Sequence, residues 1–447
     1  MAISKRKEIF YSIWIMLCGA CGPRIKMQES QLVNTDSRVG ILDRVGQLAL
    51  EKSECKTQNN RLLHDSCIPV SQSWKKNDFN WYTSDSITLI MEPQMPTSFT
   101  LGRYKNRMRD ILELKPDGTY TTSEDPGVTL SNALVEIFEI TGRRDPYFSA
   151  ESLGKMGINF EEIFKDDFEN LEFGHGTVAF SVIGEYVPSS GFVYAPPPLP
   201  PASILCAKKW SDLDKYFDKA LTSFSSKLIE NDVSVVNISG GDDRPTIRKY
   251  FEGICPGGQL SRSEEDLYLS AASNFYFGLK NSAKIIVLQS AVGMQNVVDF
   301  PIDCPSESIK NRLRVHFILD ASDTILPRLG ASVHDGFDYL FGSERFPDKE
   351  CTDVYFKPGT DNRRKYSKIS LSYGTNFFFD KLDYIYTSFI TPLASAFILS
   401  QRNTLFKDMN GEQIAKKMLE PGFPSLYDPF GNRQLEAYEK DILGNEQ

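Results

Sequence analysis

Val233-Ser234-Val235-Val236-Asn237-Ile238-Ser239-Gly240-Gly241 is a short apolar run that stops in small residues, and it follows directly on an amphipathic stretch from Leu213 to Glu230. Such a run reads as a buried strand, and the helix-period stretch before it reads as a crossover that brings the chain back to a parallel neighbour. The alternation recurs on either side. Ala133 to Ile140, Ser203 to Ala207, Lys284 to Leu288 and Val315 to Leu319 are further strand candidates, and Leu267 to Asn281 is a second crossover helix. From about residue 125 onward the expected fold is therefore α/β, a doubly wound parallel sheet with helices on both faces. Ala195-Pro196-Pro197-Pro198-Leu199-Pro200-Pro201 lies inside this pattern and has the composition of a stiff extended connector.

The stretch from residue 22 to 125 is polar and irregular, with turn signals such as Lys115-Pro116-Asp117-Gly118. A pro-segment and an accessory region packed on the main domain are equally open readings of it. Before it, the basic Lys5-Arg6-Lys7, the apolar run from Ile9 to Leu17 and the small residues around Gly19-Ala20-Cys21 describe an export signal. The Gly-Ala-Cys ending resembles a bacterial lipoprotein signal with Cys21 as the acylated residue, and ordinary cleavage after Ala20 is the alternative. The expected division is a signal peptide at 1–20, an N-terminal region at 21–125 and the main domain at 126–447.

Of 447 residues, 41% are hydrophobic and 12% aromatic, enough for a large core. A net charge of −9 with no basic run beyond the first few residues leaves no electrostatic footprint for nucleic acid, so peptide or protein partners are expected. Membrane contact is expected only through a lipid anchor at Cys21. The exported chain would keep Cys21, Cys55, Cys67, Cys206, Cys255, Cys304 and Cys351. Cys55 and Cys67 are candidates for a short disulfide loop, and Cys206, in an apolar run, for a buried thiol. No CxxC spacing in that chain and no clustering of His64, His175, His316 and His334 with cysteines suggests a zinc site.

Two segments carry candidate chemistry. Phe173-Gly174-His175-Gly176-Thr177-Val178-Ala179 sets an imidazole between glycines at the start of a helical run. Far downstream, Thr387-Ser388-Phe389-Ile390-Thr391-Pro392-Leu393-Ala394-Ser395-Ala396 puts a hydroxyl ahead of another small, apolar helical run. Alone, the first is often a solvated loop and the second an N-cap. Together, and with an α/β pattern between them, they resemble the His and Ser segments of the subtilisin-like serine peptidases. Tyr194-Ala195-Pro196 followed by Ala202 to Lys208, Val235 to Gly241, Gly411 to Glu420 and Gly431 to Ala437 extend the likeness over roughly residues 130 to 447.

The resemblance implies peptide-bond cleavage by a triad in the chain order acid, His, Ser, the acid about thirty to forty residues before the His. Val135-Glu136-Ile137-Phe138-Glu139-Ile140-Thr141-Gly142 matches the acid-bearing strand, which makes Glu139, 36 residues before His175, the expected partner of the imidazole. Asp43 is a rival, but it lies 132 residues away in a stretch of helical periodicity. Ser388 would attack the carbonyl, His175 take and return the proton, and Glu139 orient His175. Ser239, Gly240 and Gly241 would wall the substrate cleft. Met294 stands where the family has an Asn that donates to the oxyanion, a loss worth about 10²–10³ in turnover, and Tyr386 and Ile390 replace small residues around the Ser. Two functional readings follow: a secreted or lipid-anchored serine endopeptidase, and a catalytically degenerate member that binds peptides or proteins without turnover. No cofactor is expected, and no motif supports bound calcium.

Overall fold

The sheet begins with Ile87-Thr88-Leu89-Ile90-Met91, a run with no charge and three β-branched residues, fully buried as strand β1 (Ile87–Met91). The computed structural model describes residues 86–126, 129–130, 175–187, 189–239, 243–279, 284–291, 310–317, 353–356, 371–375, 378–382 and 387–420, with isolated positions at 47, 72–73, and 302. After β1 come β2 (Met108–Leu114), β3 (Tyr120–Thr122), β4 (Gly191–Ala195), β5 (Val233–Ile238), β6 (Ile286–Ser290), β7 (Arg312–Phe317) and β8 (Val354–Phe356). They form one sheet in the order β8-β7-β6-β5-β1-β4-β2-β3. All neighbours pair in parallel except β2 and β3, which form an antiparallel hairpin at the edge. β9 (Leu371–Thr375) and β10 (Phe378–Leu382) make a separate antiparallel pair.

β1 is thus the first strand of the sheet in the chain and lies in its interior. The chain leaves β1 toward one edge, returns beside it as β4, and crosses over it to β5 before stepping outward to β8. Connections therefore diverge at the carboxyl end of β1, the kind of switch point at which open α/β sheets place their ligands. The expected boundary at residue 125 does not divide this sheet, because β1, β2 and β3 all precede it.

The longer described segments hold the α-helices α1 (Ser98–Arg103), α2 (His175–Tyr186), α3 (Ala202–Leu205), α4 (Trp210–Glu230), α5 (Arg244–Ile254), α6 (Arg262–Gly278), α7 (Thr387–Ser400) and α8 (Gly411–Met418). Strand alternation sorts them into two layers. Ile87, Leu89 and Met91 of β1, with Val193 and Ala195 of β4, join one core with Leu213, Phe217, Ala220, Phe224 and Leu228 of α4 and with Phe275 of α6. Phe192, of opposite parity in β4, packs its ring on Phe180 of α2 instead. On the same face α7 lies along β5, β6 and β7.

The strands at Val233, Ile286 and Arg312 and the helices α4 and α6 form where the sequence pattern puts them, with ends displaced by a few residues. The strand expected over Ser203 to Ala207 does not form; that stretch begins with α3, and the buried strand is the earlier Gly191–Ala195. The reason is its one-sided burial: Leu205 is buried while Ser203, Cys206 and Ala207 are exposed, which suits a helical turn started by Pro201 and no interior strand. The strand candidate Ala133 to Ile140 and residues 1–46 lie outside the described residues.

Cys206 is not a buried thiol. It is exposed and bonded to Cys255 at the end of α5, with 5.4 Å between the Cα atoms. Cys55 and Cys67 lie outside the described residues. Closing a loop of 49 residues removes about 4 kcal/mol of unfolded-chain entropy in the simple loop-closure treatment. Cys206→Ser with Cys255→Ser is expected to lower stability by about 2–4 kcal/mol in denaturant titration. Recovery of Cys206 as a free, alkylatable thiol from the native, unreduced chain would contradict the pairing.

Candidate active site

His175 is the first residue of α2, and its ring meets a carboxylate that the spacing argument did not select. Nδ1 lies 2.7 Å from Oε2 of Glu92, with Glu92 1% and His175 9% exposed. Glu92 follows the last residue of β1. Continued alternation from Ile90 turns its side chain toward the α2 layer at the sheet's carboxyl edge. A carboxylate there accepts the Nδ1 proton, which leaves Nε2 as the basic nitrogen of the neutral ring. The carbonyl of Glu92 accepts from the Tyr194 hydroxyl at 2.9 Å, and its N–H donates to Ala195 O at 3.1 Å. Burial, with the charge of Glu92 added to it, pushes the Tyr194 phenol well above its ordinary range, so the group stays a donor.

The start of α2 is fixed by the turn that follows β1. Gln94 Oε1 accepts from the His175 main-chain N–H at 3.2 Å, and the Thr97 N–H donates to Thr177 Oγ1 at 3.1 Å. Gly176 is required by contact: a Cβ there would lie 2.2 Å from the carbonyl oxygen of Gln94. At the other end of α2, the Arg107 guanidinium donates to the carbonyls of Gly184 and Val187 at 2.9 and 2.8 Å, satisfying acceptors that a helix end leaves open.

Ser388 is the second residue of α7, half-buried, and a ladder of buried hydroxyls sets the direction of its helix. Thr391 Oγ1 lies 3.1 Å from Ser290 Oγ, at the last residue of β6. Ser395 Oγ donates to Asn237 Oδ1 at 3.0 Å, and Asn237 is level with Leu288, two residues earlier on β6. The helix therefore runs down from the carboxyl edge of the sheet. Ser388 shares the face of Thr391 and Ser395 at i, i+3 and i+7, about 4.5 Å of helix rise above Thr391. α7 packs along α2. Thus Glu92, His175 and the start of α7 share one edge of the sheet.

Glu139 and Asp43 lie outside the described residues, and the carboxylate on Nδ1 is Glu92. A signal for Glu92 exists in the sequence: a five-residue apolar β-rich run ends at a Glu-Pro pair. Met294, Gly240, Gly241, Tyr386 and Cys21 also lie outside the described residues. Ser239 is buried at the end of β5, its Oγ accepting from Asn237 Nδ2 at 2.8 Å, so its hydroxyl serves the interior. Ile390 is completely buried and fills the core, not a cleft. Among the described residues no group of three or more His, Cys, Asp and Glu is arranged to hold a metal ion, and no helix is long and apolar enough to cross a membrane. No protein-family model matches the chain, and no curated protein matches it.

Because the atom facing Gly176 is main chain, it gives way only by moving the turn that carries Glu92. Gly176→Ala is expected to destabilise the fold by about 1–3 kcal/mol and to loosen the His175–Glu92 contact. Thermal unfolding with an NMR titration of His175 checks both effects; wild-type stability and titration would contradict the close approach.

Proposed function

We propose that the chain is a serine peptidase of the subtilisin-like kind, with Ser388 as nucleophile, His175 as general base and acid, and Glu92 as the carboxylate that orients His175. The observation that carries this reading is the buried 2.7 Å contact between Glu92 Oε2 and His175 Nδ1 at the carboxyl end of an interior strand. The antiparallel run of α7 against the strands supports it, since Ser388 then starts its helix at that same edge. Glu92 takes the role that spacing gives to Glu139. In the reaction, His175 Nε2 takes the Ser388 hydroxyl proton as Oγ bonds to the peptide carbonyl carbon. The imidazolium, stabilised by Glu92, then returns that proton to the leaving amine. Water repeats the sequence on the acyl-enzyme.

The Cys206–Cys255 disulfide supports an oxidising compartment and so an exported chain, lipid-anchored at Cys21 or secreted. The degenerate, peptide-binding reading draws on Met294, which offers no amide to the developing oxyanion.

Labelling with a fluorophosphonate, which reacts only with an activated Ser, tests the assignment. Wild type and Glu139→Ala are expected to react alike, Ser388→Ala not at all, and Glu92→Gln about 10⁴-fold more slowly. Met294→Asn should raise peptide turnover by up to about a hundredfold if only the oxyanion donor is wanting. Absence of any Ser388-dependent labelling, in wild type and in Met294→Asn, would leave the peptide-binding reading in its place.

A further inference from the structure

We infer that Gln94 is a positioning residue for His175, and that the turn from Glu92 to Thr97 is a clasp closed on the first turn of α2. This deepens the peptidase reading and rests on it. Two of the clasp's contacts act on His175 itself: Glu92 Oε2 on ring Nδ1 at 2.7 Å, and Gln94 Oε1 on the main-chain N–H at 3.2 Å. The third joins the Thr97 N–H to Thr177 Oγ1 at 3.1 Å, two residues further on. The three bonds link segments 83, 81 and 80 residues apart in the chain, so local chain geometry does not impose them.

A ring held at Nδ1 alone still swings about the axis of that hydrogen bond, and its Nε2 sweeps an arc. Holding the main-chain N–H of the same residue from the same turn fixes the Cα end of the side chain, so ring and backbone are located together. Gln94 Oε1 also satisfies one of the N–H groups that open a helix without an internal acceptor. Gln94 touches neither a reacting atom nor substrate in this account; its effect passes through His175.

Gln94→Met keeps the side-chain length and removes the acceptor oxygen, whereas Gln94→Glu keeps an acceptor. Two readouts are taken on the full chain: the fluorophosphonate labelling rate, and the downfield ¹H resonance of the His175 Nδ1 proton, assigned by its loss in His175→Ala. Circular dichroism gives the folded fraction. Gln94→Met is expected to stay folded, to label about ten- to a hundredfold more slowly, and to lose the resonance to exchange; Gln94→Glu is expected to restore the resonance. A folded Gln94→Met with wild-type rate and resonance, or a Gln94→Glu that does not restore the resonance, overturns the inference. If Gln94→Met does not fold, Gln94→Asn, which withdraws the oxygen by one methylene, is judged by the same criteria. If wild type is not labelled, the peptidase reading fails separately, and loss or survival of the resonance in Gln94→Met alone decides the role of Gln94.

Discussion

A carboxylate taken out of water at the end of a strand costs several kcal/mol unless the protein supplies a partner, and the imidazole of His175 is the partner that Glu92 is given. The arrangement around the pair keeps that contact closed. The parity of β1 turns Glu92 toward the α2 layer. Tyr194 and Ala195, from the neighbouring strand, hold its main chain, and Gly176 lets the turn come close enough for Gln94 to reach the helix start. Glu92 Oε1 has no hydrogen-bond partner among the described residues. The carboxylate's interaction there is therefore concentrated in one bond, directed at Nδ1.

A second constraint acts on α7. Thr387-Ser388-Phe389-Ile390-Thr391-Pro392-Leu393-Ala394-Ser395-Ala396-Phe397-Ile398-Leu399-Ser400 carries no charge, and an apolar helix against an apolar sheet can turn about its axis at little cost. The buried pairs Thr391–Ser290 and Ser395–Asn237 oppose that freedom, because another rotation would break both hydrogen bonds inside the core. They set the face of α7, and with it the direction of Ser388. Pro392, four residues after Ser388, has no N–H for the Ser388 carbonyl, so the first turn of the helix is less tied than the rest.

Much of the layer architecture was legible in the sequence, because α4, β5, α6 and β6 have the periodicities of their final environments. The helices that begin at His175 and Thr387 were legible too, since each segment sets polar residues ahead of an apolar run. The acid was not. Thr88 is polar and Glu92 ends the run, so β1 shows only a short apolar signature inside a polar region, and distance along the chain favoured Glu139. Glu92 escapes a spacing argument because it lies 83 residues before His175, with the β2–β3 hairpin and residues 131–174 between them. Cys206 was misread for a related reason: an apolar tetrapeptide predicts burial, whereas a single helical turn exposes most of its residues, the Cys among them.

The proposed triad requires Ser388 Oγ and His175 Nε2 to meet. A crystal structure of the full chain after reaction with a small fluorophosphonate measures this directly. The expected result is a phosphonyl group on Ser388 Oγ, with His175 Nε2 within about 3.2 Å of an oxygen of the adduct and Glu92 still on Nδ1. An unmodified Ser388 whose Oγ no rotamer brings within reach of His175 would contradict it.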